Sequence, residues 1–251
     1  MFKTKIADVD FAPIVKEIVA WRSNSDIASI GGAVFEAELA KALSDDEVVT
    51  YTQREVDTLI REGYIFDLPV EWDTIKAESH LIESPWYACD LFMFTRDHVF
   101  VDAVSLKTSV TDSKSDVYIV NDNEGVVFPN IEAGVDTYLG KVLIAIIRPK
   151  SGTFTVFYFD GYMSEIYDGL TPTINSNQNM VFKGKSPVSN QEVGLVTVTN
   201  RNKEVKGKTT SFDRGVTVKP AYLHTFCDLV TAGSFNAVAI RDMIVVDLIN
   251  R

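Results

Sequence analysis

Apolar residues recur at helical spacing in the first sixty positions of the chain. Ile14 and Ile18 fall on one face of the run FAPIVKEIVAWR, and Leu39 and Leu43 repeat the pattern after a polar break. Thr52 stands where a helix N-cap is expected, followed by an acidic first turn. The pattern predicts helices over residues 11–22, 32–43 and 52–62.

From residue 90 the pattern changes to β-prone runs. Residues 90–94 and 99–107 flank the polar turn TRDH, and residues 142–147 and 153–159 flank PKSG, so two hairpins are expected. The continuous hydrophobicity of the second hairpin is typical of strands that are buried on both faces. Three further elements are predicted: a helix over 131–139, short strands and loops over 160–220, and a closing strand or helix over 238–249.

Helices followed by hairpins predict an α/β (α+β) fold with a central mixed β-sheet flanked by helices. With 251 residues and 46% hydrophobic content, we expect a single domain spanning 1–251. No apolar run reaches the roughly 18 residues of a membrane helix, and the first residues lack the apolar core of a signal peptide. We therefore expect a cytoplasmic protein without a membrane partner. Cys89 and Cys227 lie far apart, which argues against a disulfide framework or a zinc site.

The charge of the chain is unevenly distributed. The formal net charge is −11, yet residues 181–220 hold eight bases against three acids, a local balance of +5 that leaves −16 elsewhere. Such asymmetry fits an acidic protein with one surface for a polyanion. A solvated, lysine-rich loop is the alternative interpretation.

The first hairpin brings potential chemistry together. If its turn centres on Arg96 and Asp97, Asp90 lies opposite Ala103 and diagonal to Ser105. Because side chains on a strand share a face at every second residue, Lys107 joins Ser105 while Asp102 points away. Asp90, Ser105 and Lys107 should therefore converge, and a carboxylate beside a lysine must pair or bind something. A different register would bring Asp102 to the site instead.

These residues resemble the PD-(D/E)xK, or restriction-endonuclease-like, superfamily. In that family an Asp at the start of one strand lies beside a (D/E)xK motif on the next strand, commonly after a helix that bears a glutamate. The matching stretches are residues 90–94, Ser105-Leu106-Lys107 and Phe35-Glu36, within about residues 30–160. The resemblance implies a restriction-endonuclease-like core with Mg²⁺ as cofactor, Asp90 as metal ligand and Lys107 beside the reacting phosphate.

The motif departs from the family at one position. Ser105 stands where the family has Asp or Glu, so the second acidic ligand must come from elsewhere. Glu36 is the first candidate for this metal ligand, ahead of Asp116, Glu124 and Glu132. Without a second acid at the site the domain would be inactive.

The resemblance implies a Mg²⁺-dependent type II restriction endonuclease that cuts double-stranded DNA as a homodimer. Its DNA contacts are expected from the basic region within about residues 161–220, where arginine and asparagine can read bases and lysines can hold phosphates. The candidate DNA-binding residues are Lys183, Lys185, Arg201, Asn202, Lys203, Lys206, Lys208 and Arg214. Two alternatives remain open: a DNA repair or recombination nuclease, and a non-enzymatic protein, either an inactive nuclease-like fold or an acidic binding module of phage or bacterial type.

Overall fold

A computed structural model describes most of the chain, namely residues 2–23, 29–69, 71–72, 89–112, 116–122, 125–199, 203–205, 208–210 and 215–236. The helices within these residues are α1 (Phe2–Ala7), α2 (Phe11–Ser23), α3 (Ser29–Leu43), α4 (Gln53–Arg61), α5 (Val127–Glu132), α6 (Met163–Tyr167) and α7 (Leu223–Phe226). The three helices predicted near the N-terminus are confirmed, each to within a few residues of its predicted bounds.

The strands form a central sheet, a second sheet and a small hairpin. The strands are β1 (Val48–Thr52), β2 (Leu91–Thr95), β3 (Phe100–Val110), β4 (Val117–Asn121), β5 (Tyr138–Arg148), β6 (Thr153–Tyr162), β7 (Thr171–Ile174), β8 (Met180–Lys185), β9 (Glu192–Thr199), β10 (Lys203–Val205), β11 (Lys208–Thr210), β12 (Gly215–Val218) and β13 (Asp228–Ser234). Both hairpins predicted from the sequence, β2–β3 and β5–β6, are present.

The central sheet has six strands in the order β1-β2-β3-β5-β6-β13. Neighbouring strands are antiparallel except β3 and β5, which run parallel. A parallel pair cannot be joined by a tight turn, and the chain between β3 and β5 passes through β4 and α5. The prediction of a mixed central sheet flanked by helices is therefore confirmed.

The two faces of the central sheet are covered differently. Helices α1, α2 and α3 pack on one face, where Phe35 and Leu39 belong to the same buried apolar cluster as Val104 and Leu143 of the sheet. On the other face, a second sheet in the order β4-β12-β9-β8-β7 packs against β5 and β6. Val56 of helix α4, with Phe66 and Trp72, covers the same face of the sheet over β2.

Three predicted elements need correction or comment. The helix predicted over 131–139 is wrong, because α5 ends at Glu132, Gly134 adopts φ +71°, and β5 begins at Tyr138. Residues 160–220 contain short strands as predicted, but most of these strands join into the second sheet. The element predicted over 238–249 lies outside the described residues. No helix that the structure describes is long and apolar enough to cross a membrane.

Candidate functional site

The register of the β2–β3 hairpin differs from the predicted one by two residues. Leu91 pairs with Val104, so Asp90 lies beside Ser105 and not opposite Ala103. One extra residue comes from the turn, where His98 takes a left-handed conformation with φ +62°, and the other from a β-bulge at Val101. An offset of two keeps every side chain on its predicted face, so the convergence of Asp90, Ser105 and Lys107 survives the correction.

Asp90 is held in place by the strand beside it. From Ser105 onward β3 pairs with β5 on one side, while its pairing with β2 ends at Val104. The carboxylate of Asp90 accepts a hydrogen bond from the Leu106 N–H at 2.5 Å and one from the Ser105 hydroxyl at 3.3 Å. Burial raises the pKa of Asp90, against the lowering effects of Lys107 and these two hydrogen bonds.

Helix α3 brings Glu36 within range of the charge on Asp90. The neighbouring residue Phe35 is buried in the apolar cluster that the N-terminal helices share with the central sheet, and Glu36 itself is half-buried. Burial, and after it the negative charge of Asp90, raise the pKa of Glu36 to about 7, against the lowering effects of Arg54 and Lys107. Lys107 thus acts on both carboxylates near the start of β2, Arg54 acts on Glu36, and Glu36 is the candidate acid whose pKa responds to the charge of Asp90.

Arg54 also acts on the candidate site, although no sequence pattern indicates it. It occupies the first turn of α4, and the N–H of the preceding Gln53 donates to the carbonyl of Asp90 at 2.9 Å. Strand β1, which leads directly into α4, is not among the predicted elements. Its sequence VVTYT is rich in β-branched and aromatic residues and held the signal.

The alternative that Asp102 serves as a ligand in place of Ser105 is wrong. Asp102 lies on the opposite face of β3, where it is buried and pairs with Lys141. It also accepts a hydrogen bond from the Phe2 N–H at 3.3 Å, which anchors α1 to the sheet. Asp102 therefore has a structural partner on each side and does not face Lys107.

The other candidate acids do not reach the site within the described residues. Asp116 forms an ion pair with Lys219 at 2.5 Å, and Glu132 is exposed at the end of α5. Neither is among the charges that act on Asp90 or Glu36, and Glu124 lies outside the described residues.

The donor set suits a hard divalent cation. No three His, Cys, Asp or Glu side chains come together as a metal-binding group in the part of the chain that the structure describes. Glu36 and Asp90 nevertheless offer two carboxylates, and Mg²⁺ commonly binds to one or two carboxylates while waters and substrate phosphates complete its shell. The repulsion that Asp90 exerts on Glu36 is of the kind that a bound cation relieves.

The candidate DNA-binding residues are only partly described. Lys183 and Lys185 are exposed on β8, which supports their availability to a polyanion. Lys203 and Lys208 belong to the β10–β11 hairpin. The candidates that lie outside the described residues are Arg201, Asn202, Lys206 and Arg214.

The arrangement combines oxygen ligands with positive charge. Such a combination can bind a cation and a phosphate side by side, which is the requirement of metal-assisted phosphoryl chemistry. The buried thiol of Cys89 adjoins the site, but burial raises its pKa strongly, so it remains a protonated, unreactive group. Comparison of the chain with protein-family models, curated proteins and solved structures gave no match.

Proposed function

We propose that the chain is a Mg²⁺-dependent endonuclease of the restriction type, which hydrolyses phosphodiester bonds in double-stranded DNA. The observation that carries the proposal is the set of charge interactions that link Glu36, Asp90 and Lys107 near the start of β2. Glu36 supplies the acid that Ser105 cannot, and it does so from a helix on the other face of the sheet. The order of helix, hairpin, helix and further strands along the chain supports the resemblance to the PD-(D/E)xK superfamily.

Each residue has a chemical task in this proposal. Asp90 and Glu36 hold the cation, and the hydrogen bonds from Leu106 and Ser105 fix the orientation of the Asp90 carboxylate. Lys107 places a positive charge where negative charge develops on the phosphate during attack by water. A bound Mg²⁺ would supply the Lewis acidity that this hydrolysis needs at neutral pH.

The basic region around β8 to β11 supports DNA as the substrate. Lys183 and Lys185 are exposed, and their positive charges can attract phosphates although the chain as a whole has a net charge of −11. A restriction enzyme that cuts a palindromic site matches the two-fold symmetry of that site, so the proposal includes a homodimer on DNA.

Cleavage of supercoiled plasmid DNA in Mg²⁺ or in EDTA tests the proposal. We expect discrete fragments in Mg²⁺ that disappear in EDTA and in the variants Asp90→Asn and Lys107→Met, because these changes remove a ligand and the phosphate-facing charge. The matched controls Asp97→Asn and Lys150→Met alter exposed residues in hairpin turns and should cut normally.

The form of the products separates the alternatives. Smearing without discrete bands would favour a repair or recombination nuclease over a restriction enzyme. Plasmid that stays intact with both Mg²⁺ and Mn²⁺, over a range of DNA sequences, would contradict the proposed activity and favour a non-enzymatic binding protein.

A further inference from the structure

The start of helix α4 is fixed against the site. Thr52 and Glu55 form a capping box, in which the Thr52 hydroxyl accepts from the Glu55 N–H and the Glu55 carboxylate accepts from the Thr52 N–H. The backbone hydrogen bond from Gln53 to Asp90 ties this first turn to the site at 2.9 Å. The backbone of Arg54 is therefore fixed one residue away from the hydrogen bond to Asp90.

Arg54 is exposed and available for a ligand. Among the residues that the structure describes, no carboxylate forms an ion pair with Arg54, although the chain has an excess of acids. The nearby carboxylate of Glu55 is engaged by Thr52, at 2.7 Å from the backbone N–H. Arg61, at the other end of the same helix, contrasts with Arg54 because it pairs with Asp57 at 2.6 Å.

The two cations of the site differ in exposure. Lys107 is half-buried on β3, whereas Arg54 is exposed in the first turn of α4. The charge of Arg54 nevertheless acts on Glu36 more strongly than that of Lys107. The positive end of the α4 dipole adds to the favourable potential for an anion near Arg54.

We propose that Arg54 binds a backbone phosphate of the nucleic acid adjacent to the scissile one, while Lys107 serves the scissile phosphate itself. The inference rests on the proposed function and adds a substrate contact to it. A guanidinium suits this task, because its planar fork donates two parallel hydrogen bonds to phosphate oxygens. The position of Arg54 beside Asp90 would then fix which phosphate reaches the carboxylates.

Binding of a short fluorescent DNA duplex in Ca²⁺ tests the proposal without requiring turnover. Titrations at several salt concentrations compare the wild-type chain with Arg54→Gln and with the matched control Arg61→Gln on the same helix. We expect Arg54→Gln to raise Kd about tenfold and to reduce the slope of log K against log salt by about 0.9. Arg61→Gln should change neither quantity, and Arg54→Lys should keep the slope because it keeps the charge.

The outcomes distinguish this inference from the proposed function. An unchanged Kd and slope for Arg54→Gln, in a wild-type chain that binds and cuts DNA, would overturn the role of Arg54 alone. Loss of affinity and slope in Arg54→Gln, combined with intact plasmid, would support the phosphate contact and contradict the nuclease activity. A wild-type chain that binds no DNA at low salt would overturn both.

Discussion

The carboxylate of Asp90 accepts a backbone hydrogen bond at the point where the pairing of two strands ends. Beyond Val104, β3 no longer pairs with β2. The Asp90 carboxylate accepts the hydrogen bond from the Leu106 N–H, which a residue of a neighbouring strand would otherwise accept. Burial raises the pKa of Glu36 most, and the charge of the same carboxylate raises it further. One residue thus satisfies a backbone donor and also builds the negative potential of the site, which explains why a partly buried Asp is tolerated there.

The stability of the metal-free protein should depend on the ionisation of Glu36. Its pKa is raised from 4.5 to about 7 by folding, so the folded state holds the proton more tightly than the unfolded state. This contribution to stability is complete below the unfolded pKa and is lost as the pH rises through the folded pKa. We expect Glu36→Gln, which cannot ionise, to gain stability relative to the wild type between these two pH values.

Urea unfolding in EDTA at a series of pH values measures this difference. The stability of Glu36→Gln minus that of the wild type should rise across the window and level off above it. Glu38→Gln, on the same helix but engaged with Lys41 on the surface, is the matched control and should show no such rise. A flat difference for Glu36→Gln would contradict the burial of Glu36 beside Asp90.

Two acids of very different exposure connect α1 to the central sheet. Asp102, on β3, is buried and accepts both from the α1 backbone at Phe2 and from Lys141. Asp228, at the start of β13, pairs with Lys3 in solvent at 2.7 Å. The buried contact should dominate, because exposed pairs are screened by water and salt.

The variants Asp102→Ala and Asp228→Ala test this ranking. Asp102→Ala leaves Lys141 without its buried partner and should lower the free energy of unfolding by about 3 kcal/mol. Asp228→Ala should cost less than about 1 kcal/mol. Chemical denaturation of both variants at neutral pH checks the order, and equal losses would show that Asp102 is not the main anchor of α1.

The elements were predictable where local pattern decides them. Helices α2, α3 and α4 and both long hairpins follow from apolar periodicity and turn residues. The helix placed over 131–139 failed because tertiary pairing with β6 recruits Tyr138 and Leu139 into a strand. Strand β1 is only five residues long and leads directly into α4, and no element is predicted over residues 48–51.

The site was predictable in part for the same reason. Because side chains alternate between the two faces of a strand, the sequence predicts that Asp90, Ser105 and Lys107 share a face. The exact register depends on a β-bulge that no sequence pattern indicates. The residue type of Glu36 made it a candidate, but its approach to Asp90 depends on how α3 packs across the sheet. Arg54 was not predictable, since its place follows from the β1–β2 pairing.

The candidate site lies between elements that cover opposite faces of the central sheet. Helix α3 brings Glu36 from one face, while β3 presents Lys107 on the face that α4 and the second sheet share. Strands β3 and β5 pair over six residues beside the site. This pairing positions Lys107 within the sheet, and the metal-assisted reaction that we propose requires fixed positions of this kind.

The charge of the whole molecule sets the conditions under which DNA would bind. With a net charge of −11, most of the surface repels a polyanion, so binding depends on the basic region and on the cations of the site. Binding should therefore be confined to one side of the molecule and weaken steeply with salt.

Titration with Mn²⁺, monitored by electron paramagnetic resonance, tests the proposal that Glu36 and Asp90 together hold one divalent cation. We expect a single tight site per chain that is lost in both Glu36→Gln and Asp90→Asn but persists in Lys107→Met and in the control Glu38→Gln. A chain that binds no Mn²⁺, or binding that survives both Glu36→Gln and Asp90→Asn, would contradict it.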